Sequence, residues 1–170
     1  MGPMARPIAE SYHVGNFIVN LVTSDLTEEQ ARRRSRGGEG GSISWIIGHL
    51  LHYRCQTMGL LEKRVENPYE EQFGSKGADD GASYPPVAEL VEQWGRIAGE
   101  LDEVLEEVTD DQLMGPIEGS PHGEKKVLDT VSFFAWHESY HFGALGVIRR
   151  ELGLPETSTL AMEAAQKQEA

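Results

Sequence analysis

The sequence predicts an all-α protein, a four-helix bundle with a long loop between its second and third helices. Three observations carry that expectation. Apolar residues return at steps of three and four in four long segments, the spacing that gathers side chains on one side of an α-helix. No stretch alternates apolar and polar residues with the period of a strand. The chain also repeats its own order. Each half reads helix, a Leu/Val-Thr-acid-acid-Gln turn, a glycine-bearing loop and a histidine-bearing helix, with Leu26 to Gln30 matching Val108 to Gln112.

The first helix is expected over residues 7–23, with Ile8, Tyr12, Val19 and Val22 on one side and Pro7 in the first turn. His13 stands one residue off that stripe, a surface or subunit-contact position. Ser42 or Ser44 caps the second helix, which runs to about Glu62. This helix is apolar on more than one side (Ile43, Trp45, Ile47, Leu50, Leu51, Leu61). Such breadth suits a central bundle helix or one that also meets a second copy, so a homodimer through it is expected. Cys55 reads as a small buried side chain and His52 as an ordinary polar position. Asn67 to Pro86 is rich in Gly, Pro, Asp and Ser, and loops of that length are often functional lids. Pro85-Pro86 opens the third helix, where Val87, Leu90, Trp94, Ile97, Leu101, Val104 and Val108 alternate against an acidic face. A Gly115–Gly123 loop leads to the fourth helix, with Val127, Val131, Phe134, Leu145, Ile148 and Leu152 in register. Residues 1–155 form the expected bundle domain, and 156–170 a tail that is partly disordered or a short helix.

The chemistry concentrates in Trp136-His137-Glu138-Ser139-Tyr140-His141. Histidines four apart lie one above the other on a helix, and His137 and His141 fall in step with the apolar stripe. A buried imidazole needs partners for both nitrogens or a metal on one of them. His49, on the inward stripe of the second helix, supplies a third ring. Three neutral nitrogen ligands suit Zn²⁺, Ni²⁺, Fe²⁺ or Cu²⁺ and leave coordination positions open. On zinc such a site lowers the pKa of bound water to about 7, or binds and ionises a thiol.

Charge and cysteine content bound the rest. Fifteen basic against 28 acidic side chains give −13, which opposes binding to nucleic acid or to an anionic membrane surface. Arg32, Arg33, Arg34 and Arg36 form the one basic cluster, read as a solvated turn. Cys55 is alone, so there is no disulfide framework, and a reducing cytoplasm is expected. Met1 to Arg6 lacks the apolar core of a signal peptide, and no apolar run approaches a membrane span.

The Gly48-His49-Leu50 stretch and His137-Glu138-Ser139-Tyr140-His141, followed by Gly143 and Leu145, resemble the DinB/YfiT-like family of metal-dependent enzymes. The resemblance spans roughly residues 7–153. It implies a four-helix bundle in which His49, His137 and His141 hold one divalent metal, and dimers are common among its members. Members often carry Arg-Gly-Gln after the last histidine, where this chain has Phe142-Gly143-Ala144. The resemblance further implies a thiol-dependent S-transferase or isomerase, with a low-molecular-weight thiol such as bacillithiol or mycothiol as cosubstrate. Two alternatives stay open: a metal-dependent hydrolase using metal-bound water, and a metal-binding stress-response bundle without catalysis. The same residues match H-E-x-x-H, the zinc-peptidase helix in which the glutamate is the base. Glu138 is therefore a candidate base, although its place one step off the stripe also suits a solvated side chain. Tyr53, Tyr140 and Trp136 are candidate walls of a small-molecule pocket, or else bundle packing.

Overall fold

The apolar spacing resolves into four long helices in a computed structural model that describes residues 1–74, 77–117 and 125–168. They are α1 (Ala5–Thr23), α3 (Ile43–Leu60), α5 (Val87–Glu107) and α7 (Val127–Glu151). Between them lie the short helices α2 (Glu28–Arg32), α4 (Glu70–Phe73) and α6 (Asp110–Met114), and α8 (Thr157–Gln168) follows. The only β-type pairing among the described residues is one isolated bridge, Pro116 with Lys126. Most of the Gly115–Gly123 loop and the last two residues of the tail lie outside the described residues. The rest of the tail is the helix α8, which packs on α1 and α7.

Each boundary has a local cause. Ser42 accepts a hydrogen bond from the Trp45 N–H at 3.1 Å and so caps α3. Pro86 stands at the cap of α5, where its fixed φ is already suitable. The two repeated turns become capping boxes of the same form. Thr27 Oγ1 accepts from the Gln30 N–H while the Gln30 side chain accepts from the Thr27 N–H, and Thr109 and Gln112 do the same.

The four long helices do not follow one another around the bundle. α1 packs on α5 and α7, and α3 packs on the same two. α1 is therefore followed in sequence by the long helix diagonally across, α3, and α5 by α7, with α2 and α6 in these two crossings, whereas α3 and α5 are neighbours. Exchanging α1 with α5 and α3 with α7 turns this set of neighbours into itself, so the sequence repeat is a structural one. It also sets the histidine-bearing helices α3 and α7 side by side, as expected.

α3 is buried nearly all round, at Ile43, Ser44 and Ile46 to His52 and again at Arg54, Thr57 and Met58. Its broad apolar surface is used within the chain. The exposed large apolar side chains that lie on long helices are Phe133, Trp136, Tyr140 and Val147 on α7 and Val14 and Phe17 on α1. The 67–86 loop is no loose lid over its described length. Tyr69, Phe73 and Tyr84 are core residues, and Arg32 donates to the carbonyls of Gly81 and Tyr84 at 2.6 Å each. Two of the four arginines read as a solvated turn are thus structural, since Arg34 also donates to the Gly40 carbonyl at 2.8 Å.

A buried ion pair stands at the centre. Arg54 of α3 and Glu138 of α7 are 1 % and 3 % exposed, and Arg54 Nη2 lies 2.5 Å from Glu138 Oε1. Arg54 also donates to Asn16 Oδ1 and to the Tyr12 carbonyl of α1, and its guanidinium sits 3.8 Å from the ring centre of Trp94 of α5. Glu138 is therefore not a solvated residue, which corrects the sequence expectation. Burial pushes its carboxyl upward, and the Arg54 guanidinium opposes that rise.

Glu138→Ala leaves the Arg54 charge buried and unpaired. Its cost in urea unfolding is expected to be about 3–5 kcal/mol, and the double change Arg54→Met with Glu138→Leu is expected to recover most of it. A loss in Glu138→Ala below about 1 kcal/mol, the level of an exposed pair, shows that the contact does not hold the bundle.

Candidate metal centre

The α3–α7 seam brings His49, His137 and His141 together, with one ligand nitrogen from each lying within 4.8 Å of the others. Nε2 of His137 and Nε2 of His141 are 3.1 Å apart, one helical turn from each other. That is the separation expected of two nitrogens held about 2.0–2.1 Å from one ion. The rings meet edge to face, with His49 5.2 Å from His137 and 5.0 Å from His141 between centroids. His137 and His141 flank the inward stripe of α7 and are half-buried, while the stripe itself runs through Val131, Ala135, Glu138, Phe142 and Leu145. The histidines thus face the seam, and the core position falls to Glu138.

Backbone from α4 sets His49. Its Nδ1 lies 3.3 Å from the Phe73 carbonyl, which fixes Nδ1 as the protonated nitrogen and leaves Nε2 with its lone pair. Gly48 permits that approach, since a Cβ at this position would collide with the Phe73 ring. His52 is no ordinary polar position either. Its ring nitrogens lie 2.7 Å from Gln56 Nε2 and 3.2 Å from Asn67 Nδ2, an arrangement that ties the start of the loop to α3.

The donor set fits a metal. Burial first, and the neighbouring imidazoles after it, hold His49 and His141 at about 4, and burial also lowers His137. All three rings are neutral near pH 7, the form that coordinates. His137 Nδ1 is buried without a hydrogen-bond partner among the described residues, and no carboxylate joins the cluster.

The expected pocket residues separate. Tyr53 is in the site, its ring 4.9 Å from His49 and 4.6 Å from His137. Tyr140 touches His141 at 5.2 Å but is 65 % exposed, a rim position. Trp136 is 61 % exposed and packs on Phe133 and Tyr140. Glu138, the expected base, has both oxygens on Arg54 and is absent from the cluster. The sequence reading missed Trp45 as a wall, although its ring stacks on His49 at 4.5 Å; its place four residues before His49 was the available signal. Cys55 is partly buried with its thiol pushed up to about 11, which leaves it a packing group.

The lowered histidines give the metal-free protein a pH dependence. Above the ordinary value of 6.5 both the folded and unfolded forms are neutral, and as pH falls toward about 4 the unfolded chain takes protons first. Stability is expected to fall through that window in urea titrations of metal-free protein, and by less in His49→Phe. An equal fall in both proteins contradicts the assignment.

Two comparisons bear on the fold and the site. The chain aligns with YfiT from Bacillus subtilis at 15 % identity with a TM-score of 0.65, over 88 % of each chain. That protein is described as a probable metal-dependent hydrolase with an unusual four-helix bundle topology, and the likeness shows the shared fold. No curated protein sequence matches. The family model of the DinB superfamily matches residues 19–145, a span that holds all three histidines and both capped crossings, and the chain belongs to that superfamily.

Proposed function

We propose that His49, His137 and His141 hold one divalent metal ion and that the protein is a metal-dependent enzyme acting on a small molecule. One observation carries this: three neutral imidazoles converge within 4.8 Å with no carboxylate among them. Three neutral ligands would leave a bound dication its full charge, and the chemistry it would supply is the ionisation of a weak acid such as a thiol or water. Tyr53 and Trp45 wall the site, and the Phe73 carbonyl keeps the His49 lone pair turned toward it.

The commitment of Glu138 to Arg54 favours S-transfer over base-assisted hydrolysis. A thiol with pKa near 8.5 ionises beside a dication without a further base, whereas a water nucleophile in the zinc-peptidase pattern relies on the glutamate. In the transfer a sulfur–carbon bond forms to the electrophile, the bond to its leaving group breaks, and the thiol proton ends on the leaving group. Hydrolysis is the second reading, supported by the description of YfiT.

Elemental analysis after identical dialysis is expected to find about one divalent metal per wild-type chain and a loss of at least tenfold in His141→Ala. Equal content in both removes the proposal. With a panel of electrophiles, turnover is expected to need an added low-molecular-weight thiol and to vanish in His137→Ala. Turnover without thiol selects hydrolysis instead.

A further inference from the structure

We propose that the cleft leading from His141 to the arginine loop is the substrate groove, and that it takes a small organic anion with an apolar body. The inference rests on the metal reading of the histidine cluster and adds the class of molecule that reaches it. A hollow of about 310 Å³ is bounded by Trp45, Ile46, Tyr140, His141, Ala144 and Val147, and at its far end by Ser35 and Arg36. That volume lies in the range of small-molecule sites, about 300–1,000 Å³. His141 is the one member of the triad that opens onto it. A second hollow of about 340 Å³, lined by Arg33 and Arg34, adjoins it through Ser35, Ile148 and Glu151.

The far end is a built turn. Arg36 is one of two non-glycine residues at positive φ among the described residues, at 53°, a conformation that L-residues rarely adopt. Its surroundings hold it there: the Arg36 N–H donates to Glu151 Oε2 at 3.1 Å, and the Gly38 and Gly40 N–H groups both donate to the Ser35 carbonyl. Strained residues of this kind gather at ligand clamps. The guanidiniums of Arg33 and Arg36 make no ion pair among the described residues. Among the described residues Glu151 is the one carboxylate lining either hollow, with Arg36 in the groove and Arg33 and Arg34 in its neighbour. In a chain of net charge −13 this place is locally cationic, and it lies at the end of an apolar trough. An apolar body against Trp45, Ala144 and Val147 then sets one end at His141 and the anionic end at Arg36.

The test uses full-length zinc-loaded protein and a homologous series of straight-chain hydroxamic acids with a terminal carboxylate, each beside its methyl ester. The hydroxamate anchors on the metal, and calorimetry reads the affinity. At one chain length the acid is expected to bind about tenfold more tightly than the ester. Arg36→Gln is expected to erase that advantage while leaving ester affinity and zinc content unchanged. Ala144→Trp, which fills the trough, is expected to weaken acid and ester alike by at least tenfold at unchanged zinc content. Equal binding of acid and ester at every length, or wild-type binding by Ala144→Trp, overturns the groove. Acetohydroxamate alone reports on the metal reading, and its failure to bind, with no zinc retained, defeats that reading separately. The groove then has its own readout: phenylalkyl carboxylates added to the protein as isolated shift the NMR signals of Ser35–Gly41 and of the Trp45 indole. Shifts elsewhere, or none, overturn it.

Discussion

Stripping a guanidinium and a carboxylate of water inside a protein costs several kcal/mol for each ion, and only close pairing with full hydrogen bonding offsets it. Arg54 and Glu138 meet that condition at the centre of this bundle, and the helices are placed accordingly. Arg54 lies twelve residues past the N-cap Ser42 of α3, and Glu138 twelve past the N-cap Lys126 of α7. Tyr12 and Trp94, whose rings flank the guanidinium, each lie eight residues past their N-caps, Met4 and Pro86. The pair and its two aromatic walls thus occupy equivalent positions of the repeated halves, meeting where the halves cross. An equivalent position in each half bears an opposite charge, so the two halves complete one another.

The histidine cluster, the proposed metal centre, departs from that symmetry. At the same spacing along the helices, His49 corresponds to Phe133, His137 to Tyr53 and His141 to Thr57. One half supplies one histidine of the cluster and the other supplies two. The counterparts have other work: Tyr53 and Phe133 pack against His137, and Thr57 meets the Tyr12 hydroxyl at 3.0 Å. Because Glu138 precedes the centre of α7 by so little, fixing its carboxylate on Arg54 fixes the rotation of the helix. His137, one residue earlier and about 100° around the axis, is thereby turned into the seam with α3. The ion pair positions the histidines without touching them.

What was legible in the sequence depended on local spacing. The four helices, the Ser42 cap, the two capped turns and the three histidines each declare themselves within a few residues. What was missed depended on partners far along the chain. Nothing near Glu138 marks Arg54 as its counter-charge, so a glutamate one step off the stripe read as solvated. The 67–86 loop read as a lid from its Gly, Pro and Asp content, although Tyr69, Phe73 and Tyr84 were there as anchors. Gly48 was legible as part of a motif, but its steric reason lies in Phe73, 25 residues on. The arginine cluster divided because two of its members found backbone carbonyls, those of Gly81 and Tyr84 for Arg32 and of Gly40 for Arg34.

The H-E-x-x-H pattern shows why burial must be settled before a motif is given chemistry. In a zinc peptidase the glutamate serves as base only if its carboxylate reaches the reacting centre. Here helix rotation carries it into the core, and Arg54 takes both oxygens. Among the described residues, the histidine cluster is left without a carboxylate in its coordination range. A dication held there, as proposed, would not be neutralised by the imidazoles, and the hollow that His141 lines also meets Arg36 and Glu151. Apolar walls there would limit screening by water and strengthen these local charges. The net charge of −13 opposes the approach of an anion, so its retention in the proposed groove would rest on these local charges and not on the field of the whole molecule.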